Sequence, residues 1–445
     1  MIKPIAFYLP QFHSIPENDS WWEPSFTEWT NVTKAKSQYP GHYQPILPSE
    51  LGFYDLRLID NIKKQIELAR EYLLYGFCFY YYNFSGKRLL EKPLDLFYYE
   101  KTIDFPFMIC WANENWTRRW DGRETDILIR QNYNSNNEII IENISNYLKD
   151  PRYIRINNKL FLIIYRVEDL PDVKSTIDYW RQYVFTNLRE ELFIGCINNF
   201  TKNIDPKLYN LDLVIQFTPD IRNNLLKISS QDLVDNYGFS YENSKSLTIY
   251  DYDMVNELQL SYDYKSTSII RGAFPCWDNT ARRGNNSTII INSSPEKFHN
   301  YLNNSFIEML KNYRNIYSDY IFINAWNEWA EGAILEPDSK NGRGNLIALK
   351  NALLNSEEIK KITNNILNNN LPEKYIDRKY IIDIIYKSIE TNVIEKRLLV
   401  DRHTIEIQLE REKHNREIDK ILNSKTMMVG KIISKSLMKL KGIIY

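Results

Sequence analysis

Glu328 and Glu331 stand three residues apart in INAWNEWAEGAILEPD, residues 323–338, beside Trp326, Asn327 and Trp329 and just after the apolar run YIF. On a helical turn that spacing sets the two Cβ atoms about 5–6 Å apart. Retaining glycosidases hold two carboxyls about 5–5.5 Å apart, and inverting ones about 6.5–9.5 Å. The pattern therefore permits paired-carboxylate chemistry on a glycosidic bond. An exposed pair of surface glutamates is the competing expectation, and the indoles at the end of an apolar run argue against it.

Two further stretches carry chemistry. WANENWTRRWDG, residues 111–122, offers Trp111, Trp116 and Trp120 as stacking platforms for sugar rings, with Asn113, Glu114 and Asn115 as partners for hydroxyls. A core position is the competing expectation for each tryptophan taken alone. WDNTARR, residues 277–283, sets Trp277 beside Asp278, Arg282 and Arg283, a group suited either to an anion such as phosphate or to structural ion pairs. Tyr8, Gln11 and His13 of YLPQFH, with Trp22 and Tyr82, complete the candidate substrate contacts. Asp251 and Asp253 form a DYD triplet of the kind that holds a metal and a sugar nucleotide, a weak three-letter signal. Glycine-rich phosphate loops are lacking and the five histidines are scattered, so no cofactor or metal is expected.

These groups need a scaffold that brings distant segments together. Eight apolar, β-rich runs begin at residues 2, 75, 105, 159, 192, 211, 268 and 320. Several are continuous rather than alternating, as in parallel strands covered on both faces. Helical patterns lie between many of them. In 56–74 Leu58, Ile62, Ile66, Ala69 and Leu73 share a face, and 295–313 opens on Pro295 after Ser293 and Ser294. The expectation is an α/β fold, a (β/α)8 TIM-type barrel with a C-terminal helical extension, with the candidate residues at strand C-termini. Residues 1–357 are assigned to the barrel, 358–392 to a connector and 393–445 to a charged helix and lysine-rich tail.

Composition narrows the partners. A formal charge of −1 leaves no basic field for nucleic acid, whereas 32 Tyr, 20 Phe and 10 Trp suit sugar binding as well as a core. The four cysteines are far apart, in apolar runs, and the first residues lack a signal-peptide pattern, so a cytoplasmic chain is expected. Residues 424–445 hold five lysines and no acid, with Val429, Ile433, Leu437, Leu440 and Ile444 on one helical face. That is the pattern of a helix lying on an anionic membrane surface, with a frayed tail as the alternative.

Four blocks in order, AFYLPQFHSIPENDSWWEPSFTEWTNV, WANENWTRRWDG, WDNTARR and NAWNEWAEGAILEPD, resemble the bacterial WbsX-type proteins (glycosyltransferase WbsX, or glycoside hydrolase family 99-like) of surface-polysaccharide loci. The resemblance covers residues 1–355 or so and implies a (β/α)8 barrel. The related family 99 endo-α-mannosidases have a similar NEWxEG pattern. By that resemblance Glu328 is a base acting on the substrate's own 2-hydroxyl, through a 1,2-anhydro sugar, and Glu331 is the acid that protonates the leaving oxygen. Ala330 stands where the mannosidases have His, and Asn345 where an aromatic is often found. The implied function is retaining glycosyl transfer in lipopolysaccharide or capsule synthesis, on a glycan or lipid-linked sugar. Endo-α-mannosidase-type hydrolysis and non-catalytic glycan binding are the alternatives.

Overall fold

The structure, a computed structural model, describes residues 1–118, 123–133, 137–198, 204–221, 226–261, 268–311, 317, 319–368 and 378–395. Trp120 and the 424–445 stretch lie outside the described residues.

Eight parallel strands form a closed ring, and each falls within one of the eight apolar runs. They are β1 (Lys3–Tyr8), β2 (Gly76–Phe84), β3 (Phe107–Trp111), β4 (Lys159–Ile164), β5 (Leu192–Asn198), β6 (Leu213–Gln216), β7 (Ile269–Ala273) and β8 (Tyr320–Ile323). Neighbours in sequence are neighbours in space, and β1 closes the ring by pairing with both β2 and β8 (Ala6 opposite Phe77 and Ile323). The fold is a (β/α)8 barrel.

The runs are continuous because both faces of each strand are covered. Phe7 points into the barrel, with its ring 5.4 Å from those of Tyr80, Phe217 and Phe322. Its neighbour Tyr8 points outward, as strand alternation requires, and its hydroxyl donates to Gln65 at 2.7 Å on the helix Ile59–Glu71. On that helix Ile62, Ile66 and Ala69 are buried as the periodicity predicts. Leu58 instead sits at the N-cap, 59% exposed, and Leu73 lies past the C-terminus with a φ of 63°. The helix Pro295–Lys311 starts where Pro295 predicts, with the Ser294 hydroxyl accepting from the Lys297 amide at 3.2 Å. Between β5 and β6 the described residues form only the short 3-10 turn Pro206–Tyr209.

The barrel belongs to one compact unit, residues 2–302 and 316–352. The described residues of 303–311, 353–368 and 378–395, with Met1, cluster separately. Within this second unit Ile359, Ile362, Ile381, Ile382 and Ile385 are buried and Lys311 pairs with Asp383 at 2.5 Å. The helix Gly344–Asn368 runs on through residue 357, and a further helix spans Arg378–Glu395. Among the described residues no helix is long and apolar enough to cross a membrane.

Candidate active site

After β8 the chain forms a small hairpin. Asn327 and Glu328 pair antiparallel with Ala333 and Ile334, closed by the 3-10 turn Trp329–Glu331 and Gly332. Glu328 is the N-cap of that turn and Glu331 its last residue, and both side chains reach the same guanidinium. Gly332 has a φ of 65°, and a Cβ there would stand 3.0 Å from the Asp278 amide nitrogen, two reasons for glycine. Asn327 locks the hairpin to the end of β1, accepting from the Leu9 amide at 2.7 Å and donating to the Leu9 carbonyl at 3.0 Å. Trp329 donates from Nε1 to Glu336 Oε2 at 2.6 Å.

Both glutamates bind one guanidinium. Arg282 donates from Nη2 to Glu328 at 2.9 Å, from Nη1 to Glu331 at 2.5 Å and from Nε to Glu28 at 2.9 Å. Sharing one planar cation holds the two carboxyls close to each other, as chemistry by a carboxyl pair requires. Burial raises the Glu328 carboxyl to about 8, against the opposing pull of Arg282, and the nearby Glu331 and Glu28 charges push the same way as burial. Glu331 is raised as well, first by burial, with Arg282 again opposing. Its side chain is the more open, 21% exposed against 7% for Glu328.

The pair opens into a cavity of about 750 Å³ at the C-terminal ends of the strands. Gln11, Trp22, Tyr82, Glu114, Trp116, Trp277 and Arg282, all singled out from the sequence, line it with Glu328 and Glu331. Tyr82 packs edge-on against Trp116 at 4.9 Å. Glu114 forms an ion pair with Arg166 on the cavity wall.

Asn115 and Arg283 line it too, whereas the remaining candidates among the described residues do not and serve behind it. Tyr8 and Asn327 hold the positions given above. His13 is buried, its Nδ1 3.1 Å from the Ser14 carbonyl. Trp111 packs on Trp180 at 5.6 Å, with Nε1 directed to the Asn83 carbonyl at 3.4 Å. Asn113 ties down the strand that follows, donating to the Arg166 carbonyl and accepting from its amide, both at 2.7 Å. Asp278 accepts from Gln44 at 2.7 Å and meets His42 Nε2 at 2.6 Å. Trp326 is wholly buried against Phe77, and Trp329 and Ala330 in the turn are buried as well. Of the two arginines read as an anion site, Arg282 is engaged by three carboxylates and Arg283 lines the cavity. The DYD triplet is local scaffolding: Asp251 accepts from the Asp253 amide at 2.9 Å and Asp253 pairs with Lys297 at 2.6 Å.

Two acids escaped the sequence reading, Glu28 and Glu336, both buried. Glu336 accepts from Tyr54 at 2.7 Å, Gln65 at 2.7 Å and Trp329 at 2.6 Å, and burial pushes its carboxyl up to about 7 against those donors. The three-residue step from Glu328 to Glu331 drew attention to that turn, and nothing comparable marks Glu28.

The closed (β/α)8 barrel thus carries two glutamates and an aromatic-lined cavity at the C-terminal ends of its strands. The chain belongs to the family described as Glycosyltransferase WbsX, whose model matches residues 4–349. It is 38% identical over 356 residues to "Uncharacterized protein WxcX" of Xanthomonas campestris pv. campestris strain B100, covering 80% of this chain and 50% of that protein. The same protein of strain ATCC 33913 matches at 38% over 361 residues, with the same coverage. The chain thus spans about half the length of the curated relatives it matches. Among solved structures, the family 99 endo-α-mannosidase from Bacteroides thetaiotaomicron aligns with a TM-score of 0.49 at 13% identity, over 81% of this chain and 98% of that one. A "Glycoside hydrolase-like protein" aligns with a TM-score of 0.48 at 15% identity, over 79% and 93%.

Proposed function

We propose that the protein is a carbohydrate-active enzyme that transfers a glycosyl group with retention, in the building of a bacterial surface polysaccharide, using Glu328 and Glu331. The observation that carries this reading is the shared guanidinium: Glu328 and Glu331 each bind Arg282 beside the aromatic-lined cavity.

In this reading Glu328 takes the proton of the donor sugar's 2-hydroxyl as that oxygen attacks C1. The C1–O bond to the leaving group breaks, and Glu331 gives its proton to the departing oxygen. An acceptor hydroxyl then attacks C1 and passes its proton to Glu331, the C1–O2 bond breaks, and Glu328 returns its proton to the freed 2-oxygen. All protons are accounted for, and the anomeric configuration is inverted twice. In the resting pair the deeper Glu328 is the better place for a proton. A sugar hydroxyl donating to Glu328 favours its charged form and leaves the proton to Glu331.

Hydrolysis of the endo-α-mannosidase type is the second reading, favoured by the charge of the cavity. Its lining holds Glu114, Asp169, Glu328 and Glu331 against Arg166, Arg282 and Arg283, with Arg282 and Arg166 already engaged by carboxylates. Such a lining suits a glycoside better than a diphosphate as the sugar donor. The lysine-rich 424–445 stretch is proposed as a contact with anionic membrane, where lipid-linked acceptors would lie.

The test is incubation of the pure protein with nucleotide sugars, lipid-linked sugars and α-mannosides, with and without acceptor, followed by mass spectrometry. A new glycosidic bond formed only with acceptor supports transfer, and free sugar formed without acceptor supports hydrolysis. Glycan binding without any product overturns both.

A further inference from the structure

Glu28 lies on the helix Glu28–Lys34, about 300 residues from the glutamate pair, yet its side chain is fully buried beside it. That helix packs on both the Thr280–Arg283 turn and the Trp329–Glu331 turn, with Trp29 and Trp329 rings 5.5 Å apart. Glu28 Oε1 accepts from Arg282 Nε at 2.9 Å and from Asn31 Nδ2 at 3.3 Å, while Oε2 is buried with no hydrogen-bond partner.

The charge balance is the key. Glu28, Glu328 and Glu331 supply three negative charges when ionised, Arg282 supplies one positive charge, and the Arg283 charge is close enough to act on Glu331. Even with both arginines counted, the fully ionised group is left at −1 in a site where Glu28, Arg282 and Glu328 side chains are each less than a tenth exposed. Buried charge without compensation is removed by binding a proton. The surrounding phenols of Tyr80, Tyr82 and Tyr165 are held neutral by burial, so they add no charge.

We infer that Glu28 is a positioning residue with two effects: it fixes Arg282 from behind, and its charge makes the carboxylate cluster hold one proton at neutral pH. Deleting that charge makes the cluster electrically balanced when fully ionised, and the proton leaves. The inference deepens the proposed function, because a general acid must be protonated when substrate binds. It rests on that reading only for its catalytic consequence.

The experiment requires no turnover. The full-length protein is labelled with 13C at glutamate side-chain carboxyls and titrated by NMR, with Glu328, Glu331 and Glu336 signals assigned through their Gln variants. The wild-type cluster is expected to show one neutral carboxyl at pH 7. In Glu28→Gln, and in the apolar Glu28→Met if the first does not fold, the midpoint of the pair falls by about one pH unit or more, a tenfold loss of proton affinity. Glu28→Asp, which keeps the charge, retains the neutral carboxyl. A wild-type cluster fully ionised at pH 7, or a pair whose midpoint is unmoved when the Glu28 charge is removed, overturns the inference. Because no substrate is present, that result is separable from any failure to find a glycan product.

Discussion

The Trp329 indole donates to the Glu336 carboxylate at 2.6 Å, and through that one bond a wholly buried acid anchors the turn that carries Glu328 and Glu331. Tyr54 donates to the same oxygen, Oε2, at 2.7 Å. Glutamine at 336 would offer one oxygen and one amino group to positions now filled by three donors. Glu336→Gln is therefore expected to lose about 1–3 kcal/mol of stability, through an unpaired buried donor. Denaturant melts measure the loss, and unchanged stability would show the anchor to be dispensable.

Gly332 ends the same turn in the left-handed region, close to the Asp278 backbone. Gly332→Ala should destabilise by about 1 kcal/mol or more and displace Glu331. A thermal melt and a glycan-binding titration test this together. A variant indistinguishable from wild type in both would remove the turn geometry from the account.

Glu328 gives a pH signature. Its carboxyl is raised from 4.5 to about 8 by burial, so the native state holds a proton that the unfolded chain has already released. Its contribution to stability is complete below about 4.5 and is lost as the pH rises through about 8, with a slope of up to about 1.4 kcal/mol per pH unit. Glu328→Gln lacks this loss, so its stability relative to wild type should rise between pH 5 and 8. Parallel melting curves for the two proteins across that window would contradict it.

The eight strands were legible because barrel strands, covered on both faces, are written as continuous apolar runs. The direction of individual side chains was less so. Tyr8 was read as a substrate contact from its place at a strand end, yet Phe7 faces the barrel, so Tyr8 faces the helix and Gln65. Asp278, polar and next to the cavity residue Trp277, turns away to His42 and Gln44. Glu28 and Glu336 were invisible for a different reason: a charged residue within a mixed stretch reads as solvent-facing, and only tertiary packing reveals a buried partner such as Arg282 or Trp329. The i, i+3 spacing of Glu328 and Glu331 survives the fold because it is local, with Glu328 capping a 3-10 turn that Glu331 ends rather than both lying on an α-helix.

The 424–445 stretch has its own test. Removing it should abolish binding to anionic vesicles, and binding by the intact chain should weaken as salt rises. Equal vesicle binding by truncated and full-length protein would exclude the membrane contact.

The central claim is that Glu328 and Glu331 act together on a glycosidic bond, and turnover of the two Gln variants tests it most directly. On whichever sugar donor proves active, Glu328→Gln and Glu331→Gln should each lower turnover by roughly a hundredfold or more, with the fold intact. A donor with an activated leaving group, which needs no protonation, should partly restore Glu331→Gln and leave Glu328→Gln inactive. Wild-type turnover in both folded variants would contradict the account.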